Sequence, residues 1–391
     1  MKLAQALSWI QVARDRGLTG LWNSIQYHRM MATMARRYPR PRPSGPFQTP
    51  GRVLAVEEVP NGVVLRAERA AVELIALGDE AIRVRLSPAG RFTPLFSYAV
   101  IGGGAPPRAL RIHDEGEAIL VQTGQMVCRA SKAACRLTFS TPDGRVLSED
   151  AEGLAWRGDE VRWSRRLPPG ESCHGLGERA SAFNLRGKRL ALWNNDPGPA
   201  YPRDADPIYY SIPFYVGLEG DLACGFLWDN PARGAVDLGA DDAGAMSFSA
   251  EEGELCLYAL AGPTLPDVMR QFTALVGRAP LPPLWALGFH QSRWGYRTVA
   301  DFRRLAHEFR ARRLPCDVLT FDIDYMDGYR VFTWNRAAFP DLPGLVEELA
   351  GQGFKSVGIV DPGIKVDSGY EVYESGLRED VFLKMPDGSL V

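Results

Sequence analysis

The hydrophobic period of the chain changes near residue 265, and this change limits the folds that the sequence can adopt. Between residues 46 and 260 apolar and polar side chains alternate. In AIRVRLS (81–87), for example, Arg83 and Arg85 separate the apolar positions. Such alternation predicts a strand with one face on the core and the other in water. Short strands separated by turns such as Asn61-Gly62 predict an antiparallel β-sandwich.

Beyond residue 265 strand and helix patterns alternate instead. The predicted strands are WALGFH (285–290), CDVLTFDID (316–324) and KSVGIVDP (355–362), and the predicted helices follow residue 265, Thr298 and residue 341. Strand–helix–strand units imply parallel strands with right-handed crossovers. A TIM-type barrel has eight such units, and only about three fit before Val391. We therefore expect a β-sandwich followed by an incomplete α/β TIM-type barrel.

These patterns divide the chain into three segments. Residues 1–45 form a basic lead-in with a short helix, because Leu3, Leu7 and Ile10 fall at helical spacing. Residues 46–264 form the sandwich, and residues 265–391 form the first part of the barrel. A hairpin is expected around residues 386–388, which read Pro-Asp-Gly.

Composition excludes several classes of function. The formal net charge of -2 gives no electrostatic basis for binding nucleic acid or an anionic membrane. The six cysteines are scattered without CxxC spacing, which predicts buried thiols, and the five histidines form no zinc motif. We expect no metal and no cofactor. No apolar run is long enough to span a membrane, and the first residues do not resemble a signal peptide, so the expected location is cytoplasmic.

Residues 192–218 form a loop of unusual composition within the sandwich region. Five prolines exclude a helix, and long ordered loops in compact domains are usually functional. The loop combines aromatic rings with carboxylates: Trp193, Tyr201, Tyr209 and Tyr210 accompany Asp196, Asp204 and Asp206. Flat apolar faces beside hydrogen-bond acceptors suit a sugar ring. A loop that only packs domains together is the alternative.

Two carboxylates, Asp322 and Asp324, end the second predicted barrel strand. Functional side chains of a parallel barrel collect at this end of the strands. Residues two apart on a strand share a face, about 7 Å apart, which falls within the roughly 6.5–9.5 Å range of an inverting glycosidase pair. Catalysis needs carboxylates on opposed sides of the bond, however, so we interpret the pair as gripping hydroxyl groups. The alternative is a structural ion pair, for instance between Asp324 and Arg330.

The blocks HGLGE (174–178), LWNND…DPIYYSIPFYVGL (192–218), PLWALGFHQSRWGY (283–296), LPCDVLTFDIDYMDGYRVFTWN (314–335) and VGIVDPGI (357–364) occur in this order. Together they resemble glycoside hydrolase family 31, the α-glucosidase and α-xylosidase group. The resemblance covers roughly residues 50–391. It implies that the sandwich is galactose-mutarotase-like and that it contributes a loop to the mouth of a TIM-type catalytic barrel.

The resemblance also implies a set of substrate-binding residues. Asp322 corresponds to the family residue that accepts hydrogen bonds from the non-reducing sugar, and Asp196 approaches the sugar from the sandwich loop. Trp294, Ile323 and Ile364 correspond to the apolar walls. The expected ligand is a small α-glucoside or α-xyloside.

The family cleaves α-glycosides with retention, by attack of an aspartate and a second carboxylate that acts as acid and base. The block that carries the family's nucleophile is absent from this sequence, so we assign no catalytic residue and expect residues 1–391 alone to be inactive. A non-catalytic carbohydrate-binding remnant is the alternative function. We also expect Leu319, Val357 and Ile359 to face an unfilled barrel interior, which would make this part poorly soluble without a complementing fragment.

Overall fold

The computed structural model describes residues 43–101, 106–197 and 201–391, together with residues 22, 25–26, 29–30, 32–34 and 36–37. The helix predicted around Leu3, Leu7 and Ile10 lies outside the described residues. The chain divides into two compact units, Met1–Arg278 and Ala279–Val391.

Among the described residues, the first unit contains seventeen strands in two antiparallel sheets. The strands are β1 (Val53–Val59), β2 (Gly62–Ala67), β3 (Ala71–Ala76), β4 (Ala81–Ser87), β5 (Arg111–Asp114), β6 (Ala118–Gln122), β7 (Val127–Ser131), β8 (Leu137–Ser140), β9 (Val146–Arg157), β10 (Glu160–Arg166), β11 (Ser172–Gly177), β12 (Arg189–Leu192), β13 (Ser211–Glu219), β14 (Leu222–Trp228), β15 (Gly234–Asp237), β16 (Ala245–Ala250) and β17 (Leu255–Ala261). One sheet has the order β1-β2-β3-β4-β17-β14-β13-β11, and the other has the order β12-β15-β16-β10-β9-β8-β7-β6-β5.

A single apolar core lies between these sheets. It joins side chains of the first sheet, such as Leu65 and Phe226, to side chains of the second, such as Trp163 and Phe248. Trp163 packs on both phenylalanines, with ring centroids 4.9 Å from Phe226 and 6.4 Å from Phe248. The predicted antiparallel sandwich is therefore confirmed. All six cysteines are buried free thiols, as predicted.

The prediction that the arginine-bearing face of β4 lies in water is wrong. Arg85 is only 3% exposed, and its guanidinium donates to Glu254 and to the carbonyl oxygen of Thr93. Arg83 donates to Glu73 on the neighbouring strand β3 at 3.0 Å. Alternation correctly separated the apolar and polar positions, but it could not show that ion pairs cover the polar face.

A second buried arginine joins the two sheets. Arg165 on β10 donates to the carboxylate of Glu171, which also accepts from the hydroxyl of Tyr215 on β13. The Arg165 guanidinium lies 5.5 Å from the ring centroids of Tyr215 and Phe226. A buried charge without partners would be costly, so the Glu171 carboxylate requires both the Arg165 guanidinium and the Tyr215 hydroxyl.

Helix α1 (Leu265–Val276) belongs to the first unit, because Val268 and Leu275 pack with strands β14 and β17. Its N-terminus carries a capping box formed by Thr264 and Asp267. The sequence patterns begin the barrel segment at residue 265, whereas the compact units divide after Arg278.

The second unit contains a three-stranded parallel sheet and three α-helices. The strands, in the spatial order β18-β19-β20, are β18 (His290–Gln291), β19 (Val318–Phe321) and β20 (Lys355–Gly358). The helices are α2 (Val299–Ala311), α3 (Leu342–Gly351) and α4 (Glu371–Arg378). The parallel strand–helix alternation and the cap of α2 by Thr298 and Asp301 are confirmed. The predicted C-terminal hairpin is present as an antiparallel bridge between Lys384 and Leu390.

The buried strand predicted over 285–290 is wrong. Leu284–Leu287 forms a short 3-10 helix after Pro283, and only His290–Gln291 is extended. Trp285, Leu287 and Phe289 are exposed. In the described part of the chain β18 pairs only with β19, so half of its backbone lacks the second neighbour that would extend the strand.

The predicted orientation of Leu319 is also wrong. Thr320 pairs with Val357, so Leu319 points to the opposite face of the sheet. There it is fully buried beside Phe302 of α2 and Leu349 of α3. Val357 remains more than a third exposed, and Ile359 packs in a small cluster that contains Tyr370. The expected poor solubility stays a prediction. Of the three residues on which it was based, only Val357 is exposed.

Arg165→Ala should destabilise the sandwich by about 3–5 kcal/mol, because it leaves the Glu171 carboxylate buried without its cation. Arg166→Ala on the same strand is the matched control, since Arg166 is largely exposed; its effect should stay within about 0.5 kcal/mol. Urea denaturation followed by tryptophan fluorescence measures both. Equal stability of the two variants would contradict the proposed role of the Arg165–Glu171 ion pair.

Asp150 should make the stability pH-dependent. Burial raises the pKa of Asp150 to about 7, although the carboxylate accepts from Leu137 N–H and Trp163 Nε1–H. Between about pH 4 and pH 7 the folded state therefore binds a proton that the unfolded state has lost. Relative to Asp150→Asn, the free energy of unfolding should fall by roughly 2–4 kcal/mol as the pH rises through this window. A constant difference between the proteins across these pH values would refute the assignment.

Candidate functional site

The loop predicted over residues 192–218 is shorter in the structure, because Leu192 ends β12 and β13 begins at Ser211. Arg179 anchors this proline-rich loop at its base. The guanidinium donates to Asp206 at 2.6 Å, to the carbonyl oxygen of Ala191 at 3.1 Å and to that of Leu176 at 3.0 Å. The second oxygen of Asp206 accepts from Ala191 N–H at 2.6 Å. The Arg179 side chain is only 5% exposed, so these contacts form a largely dry clamp. Arg179 directly follows the HGLGE block, but no motif in the sequence marks it as an anchor of the loop.

The glycines of that block serve the backbone. A Cβ on Gly175 would lie 2.4 Å from the carbonyl oxygen of Phe214, and one on Gly177 would lie 2.2 Å from that of Tyr210. Both glycines have positive φ, which side chains disfavour. The pairing of β11 with β13 shifts register at this point, so the block shapes the edge of the sheet at which the loop ends.

Asp204 also holds the loop. Its carboxylate accepts from Ser181 Oγ and from Lys188 Nζ, both at 2.7 Å. Asp204 and Asp206 were both predicted to offer acceptors to a sugar, and both are instead engaged in the fold of the loop. The sequence could not separate these carboxylates from Asp196, because all three lie in one polar segment.

Asp196 lies exposed on the loop beside two tyrosines. The hydroxyl of Tyr209 hydrogen-bonds to Asp196, and partial burial together with this bond raises the pKa of Tyr209. The ring of Tyr201 stands edge-on to Tyr209, with centroids 6.2 Å apart. Arg233 lies 5.5 Å from the ring centroid of Trp193. The predicted combination of carboxylate and aromatic faces is thus present in the described part of the loop, which omits residues 198–200.

In the second unit Asp322 directly follows β19. It caps the 3-10 helix Ile323–Tyr325, and its Oδ1 accepts from Ile323 N–H at 2.7 Å. The strand ends at Phe321, so the prediction that Asp322 and Asp324 leave the same face of one strand is wrong. The turn breaks the two-residue repeat and gives the two carboxylates different surroundings.

Asp324 is engaged by two donors. Arg297 Nε lies 3.3 Å from Oδ2, and the hydroxyl of Tyr329 donates to Oδ1 at 3.1 Å. This hydrogen bond raises the pKa of Tyr329. The ion-pair alternative for Asp324 is therefore correct in kind, but the partner differs from the one considered, since Arg330 donates to Asp367 at 2.6 Å.

The structure brings Ile323 and Ile364 together. Both pack against a small cluster whose buried members are Met326, Val331 and Tyr370. The loops that follow β19 and β20 therefore share this cluster, and Ile323 directly follows Asp322 in the chain. Trp294, in the loop between β18 and α2, is 69% exposed.

The described residues contain no group of three or more potential metal ligands. In the same ranges of the chain, no helix is long and apolar enough to cross a membrane. Chemically, the second unit presents a fixed carboxylate at a strand end, followed directly by the apolar Ile323, and an exposed indole in the loop between β18 and α2. This arrangement can accept hydrogen bonds from hydroxyl groups and cover the apolar face of a ring.

Parallel strands that carry such groups at their C-terminal ends, preceded by a sandwich, define a class of carbohydrate-active protein. Two family models match the chain: the glycosyl hydrolase 31 N-terminal galactose mutarotase-like domain over residues 71–237, and the glycosyl hydrolases family 31 TIM-barrel domain over residues 279–391. Together they span most of the sequence. The chain belongs to glycoside hydrolase family 31.

Curated relatives support the family. Alpha-glucosidase 2 of Bacillus thermoamyloliquefaciens is 34% identical over 80% of this chain, and neutral alpha-glucosidase AB of Homo sapiens is 35% identical over 57%. These alignments cover 40% and 26% of the respective relatives, so the chain spans less than half the length of either.

Solved structures share the fold. A family 31 dextranase of Flavobacterium johnsoniae, solved with isomaltotriose, has a TM-score of 0.78 and 27% identity, over 88% of this chain and 44% of its own. An α-xylosidase of the family from a soil metagenome, solved with xylose, has a TM-score of 0.73 at 19% identity, over 85% of this chain and 50% of its own. At that identity the second likeness concerns the fold alone.

Arg179→Met should release the proline-rich loop, because the clamp loses its cation and the Asp206 carboxylate loses its donor. Tryptic cleavage after the exposed Arg203 should accelerate by about tenfold, equivalent to ~1.4 kcal/mol of lost loop stability. Arg189→Met is the matched control, since Arg189 pairs with Asp241 at the surface. Mass spectrometry of timed digests gives both rates. Cleavage at an unchanged rate in Arg179→Met would exclude the clamp.

Proposed function

We propose that this chain provides sugar-binding residues of a retaining α-glycosidase that acts on α-glucosides or related α-glycosides. The observation that carries the proposal is the position of Asp322 at the C-terminal end of a parallel strand. In parallel barrels this edge bears the functional side chains. Relatives named as α-glucosidases, and a dextranase structure containing isomaltotriose, support a glucoside.

Asp322 is suited to bind hydroxyl groups. Its Oδ1 is held by Ile323 N–H, which fixes the side chain and leaves Oδ2 without a hydrogen bond from any described residue. A carboxylate oxygen fixed in this way accepts hydroxyl hydrogens at low entropic cost. Ile323 and Ile364 supply an apolar wall, and Trp294 offers an exposed aromatic face.

Asp196 has the equivalent role in the first unit. The clamp at Arg179 and Asp206 fixes the base of its loop, and Tyr209 holds its carboxylate by a hydrogen bond. We propose that Asp196 is a substrate-binding residue of the first unit. The support is the loop's anchored conformation, because a preorganised loop loses less entropy when a ligand binds.

The catalytic pair is not assigned to this chain. Retention requires two carboxylates about 5–5.5 Å apart on opposed sides of the glycosidic bond. Asp322 is used for binding in this proposal, and both oxygens of Asp324 are occupied. We propose that the three parallel strands are part of an eight-stranded barrel and that residues 1–391 alone do not hydrolyse the substrate.

The proposed location is the cytoplasm. Six buried free thiols match a reducing compartment, where disulfides are rare. The proposed partner is a small carbohydrate, and neither a nucleic acid nor a membrane surface is part of the proposal.

Residues 1–391 should bind methyl α-D-glucopyranoside with a Kd of about 1 mM, and p-nitrophenyl α-D-glucopyranoside should not be hydrolysed. Asp322→Asn should weaken binding by about tenfold or more, because one acceptor oxygen is lost. Asp327→Asn, an exposed residue in the same loop, is the control. Isothermal calorimetry measures the affinities. Absence of binding by the wild-type chain would refute the proposal, and turnover by it would refute the assignment of the catalytic groups.

A further inference from the structure

Asp324 is a buried carboxylate that the proposed sugar site does not use. Its side chain is 8% exposed, whereas the side chain of its partner Arg297 is 69% exposed. Each of its two oxygens already accepts from one donor, Arg297 Nε or the Tyr329 hydroxyl. An occupied and covered carboxylate is poorly placed to bind a ligand directly, so its role must lie in what it connects.

The two donors come from different segments of the chain. Arg297 lies three residues after Trp294, in the loop between β18 and α2. Tyr329 lies in the loop after β19, which begins with Asp322 and Ile323. Tyr329 itself has a positive φ of 60°, a conformation that costs energy in a non-glycine residue. Asp324 thus joins the loop that carries the exposed indole to the loop that carries the sugar-binding carboxylate.

The ion pair lies directly against the backbone beside Trp294. A Cβ on Gly295 would lie 3.0 Å from both Asp324 Oδ2 and Arg297 Nε, closer than nearly all real contacts. On the other side of Gly295, Tyr296 is buried and its hydroxyl accepts from Gln291 at 2.9 Å. The loop is therefore held just after Trp294 at two consecutive residues: Tyr296 is buried in the core, and Arg297 pairs with Asp324.

We propose that Asp324 is a positioning residue for the sugar site: through Arg297 and Tyr329 it fixes the Trp294 loop relative to Asp322 and Ile323. This inference rests on the proposed function. The indole of Trp294 is too exposed for packing to hold it, so its orientation depends on its backbone. Removing the Asp324 charge frees the Trp294 loop. The loop must then be ordered when the sugar binds, and this entropic cost lowers the affinity for the sugar.

The test compares Asp324→Asn, Arg297→Gln and Tyr329→Phe with the Asp327→Asn control in the full 391-residue chain. Asp324→Asn and Arg297→Gln should weaken binding of methyl α-D-glucopyranoside by about tenfold, equivalent to ~1.4 kcal/mol of loop ordering. Tryptic cleavage after Arg293, which is exposed in the same loop, should accelerate in both variants. Asp327→Asn should change neither, because the Asp327 carboxylate makes only a long contact of 3.7 Å with Arg330.

A spectroscopic signature separates this role from general destabilisation. The hydrogen bond from Tyr329 to Asp324 raises the pKa of the phenol, so Asp324→Asn should lower that pKa, as seen in ultraviolet titrations from which the Tyr329→Phe curve is subtracted. Arg297→Gln should retain the hydrogen bond and keep the pKa raised. If Asp324→Asn leaves this pKa unchanged, the contact is absent and the inference is overturned.

Failure of the inference and failure of the proposed function give different results. If wild-type protein binds the glucoside and Asp324→Asn binds it equally well, the positioning role is overturned while the sugar site stands. If Asp324→Asn does not fold, Arg297→Gln decides, because it removes only an exposed partner. If the wild-type chain binds no glucoside, the proposed function fails and this inference falls with it.

Discussion

The guanidinium of Arg165 is the constraint on which much of the first unit depends. It reaches from β10 in one sheet to Glu171 and Tyr215 beside the other, and a buried charge tolerates little freedom because each lost partner is costly. Glu171 immediately precedes β11, the strand that ends in the glycine block. The Arg165–Glu171 contact therefore fixes the start of β11, the strand that precedes Arg179 in the chain. Core packing gives the sandwich its cohesion, and this polar contact joins its two sheets.

The carboxylates in both units fall into two groups: some stabilise the loops of the fold, and others are proposed to bind the sugar. Asp206, Asp204 and Asp324 are each held by an arginine, a lysine or hydroxyl donors, and their oxygens stabilise loops. Asp322 is fixed by a backbone N–H, and the carboxylate of Asp196 accepts from a tyrosine hydroxyl. The difference is physical: Asp324 already accepts from a donor at each oxygen, and Asp206 holds a buried guanidinium and a backbone N–H. Oδ2 of Asp322 has no hydrogen bond from a described residue and can accept one from a hydroxyl group.

The sequence predicted the architecture well because the underlying signals are local. Alternation identified the sandwich strands, and the switch to strand–helix units identified the parallel sheet. The capping pair Thr298 and Asp301 located the start of α2 to the residue. Prediction failed where a distant neighbour decides. The face of Leu319 depends on the pairing of Thr320 with Val357, and the short β18 depends on its having a single partner strand among the described residues. The burial of Arg85 depends on Glu254, far along the chain.

By itself, the sequence determined the family, the order of sandwich and parallel strands, and the residue types available for binding a sugar. Those properties follow from composition, spacing and motif, which need no coordinates. Tertiary structure alone decided which of these side chains already have hydrogen-bond partners within the protein. It assigned Asp324 to Arg297 and Tyr329, Asp206 to Arg179, and brought Ile323 to Ile364. The reason is that hydrogen-bond partners and burial depend on residues brought together by folding, and a linear pattern contains no distance between them.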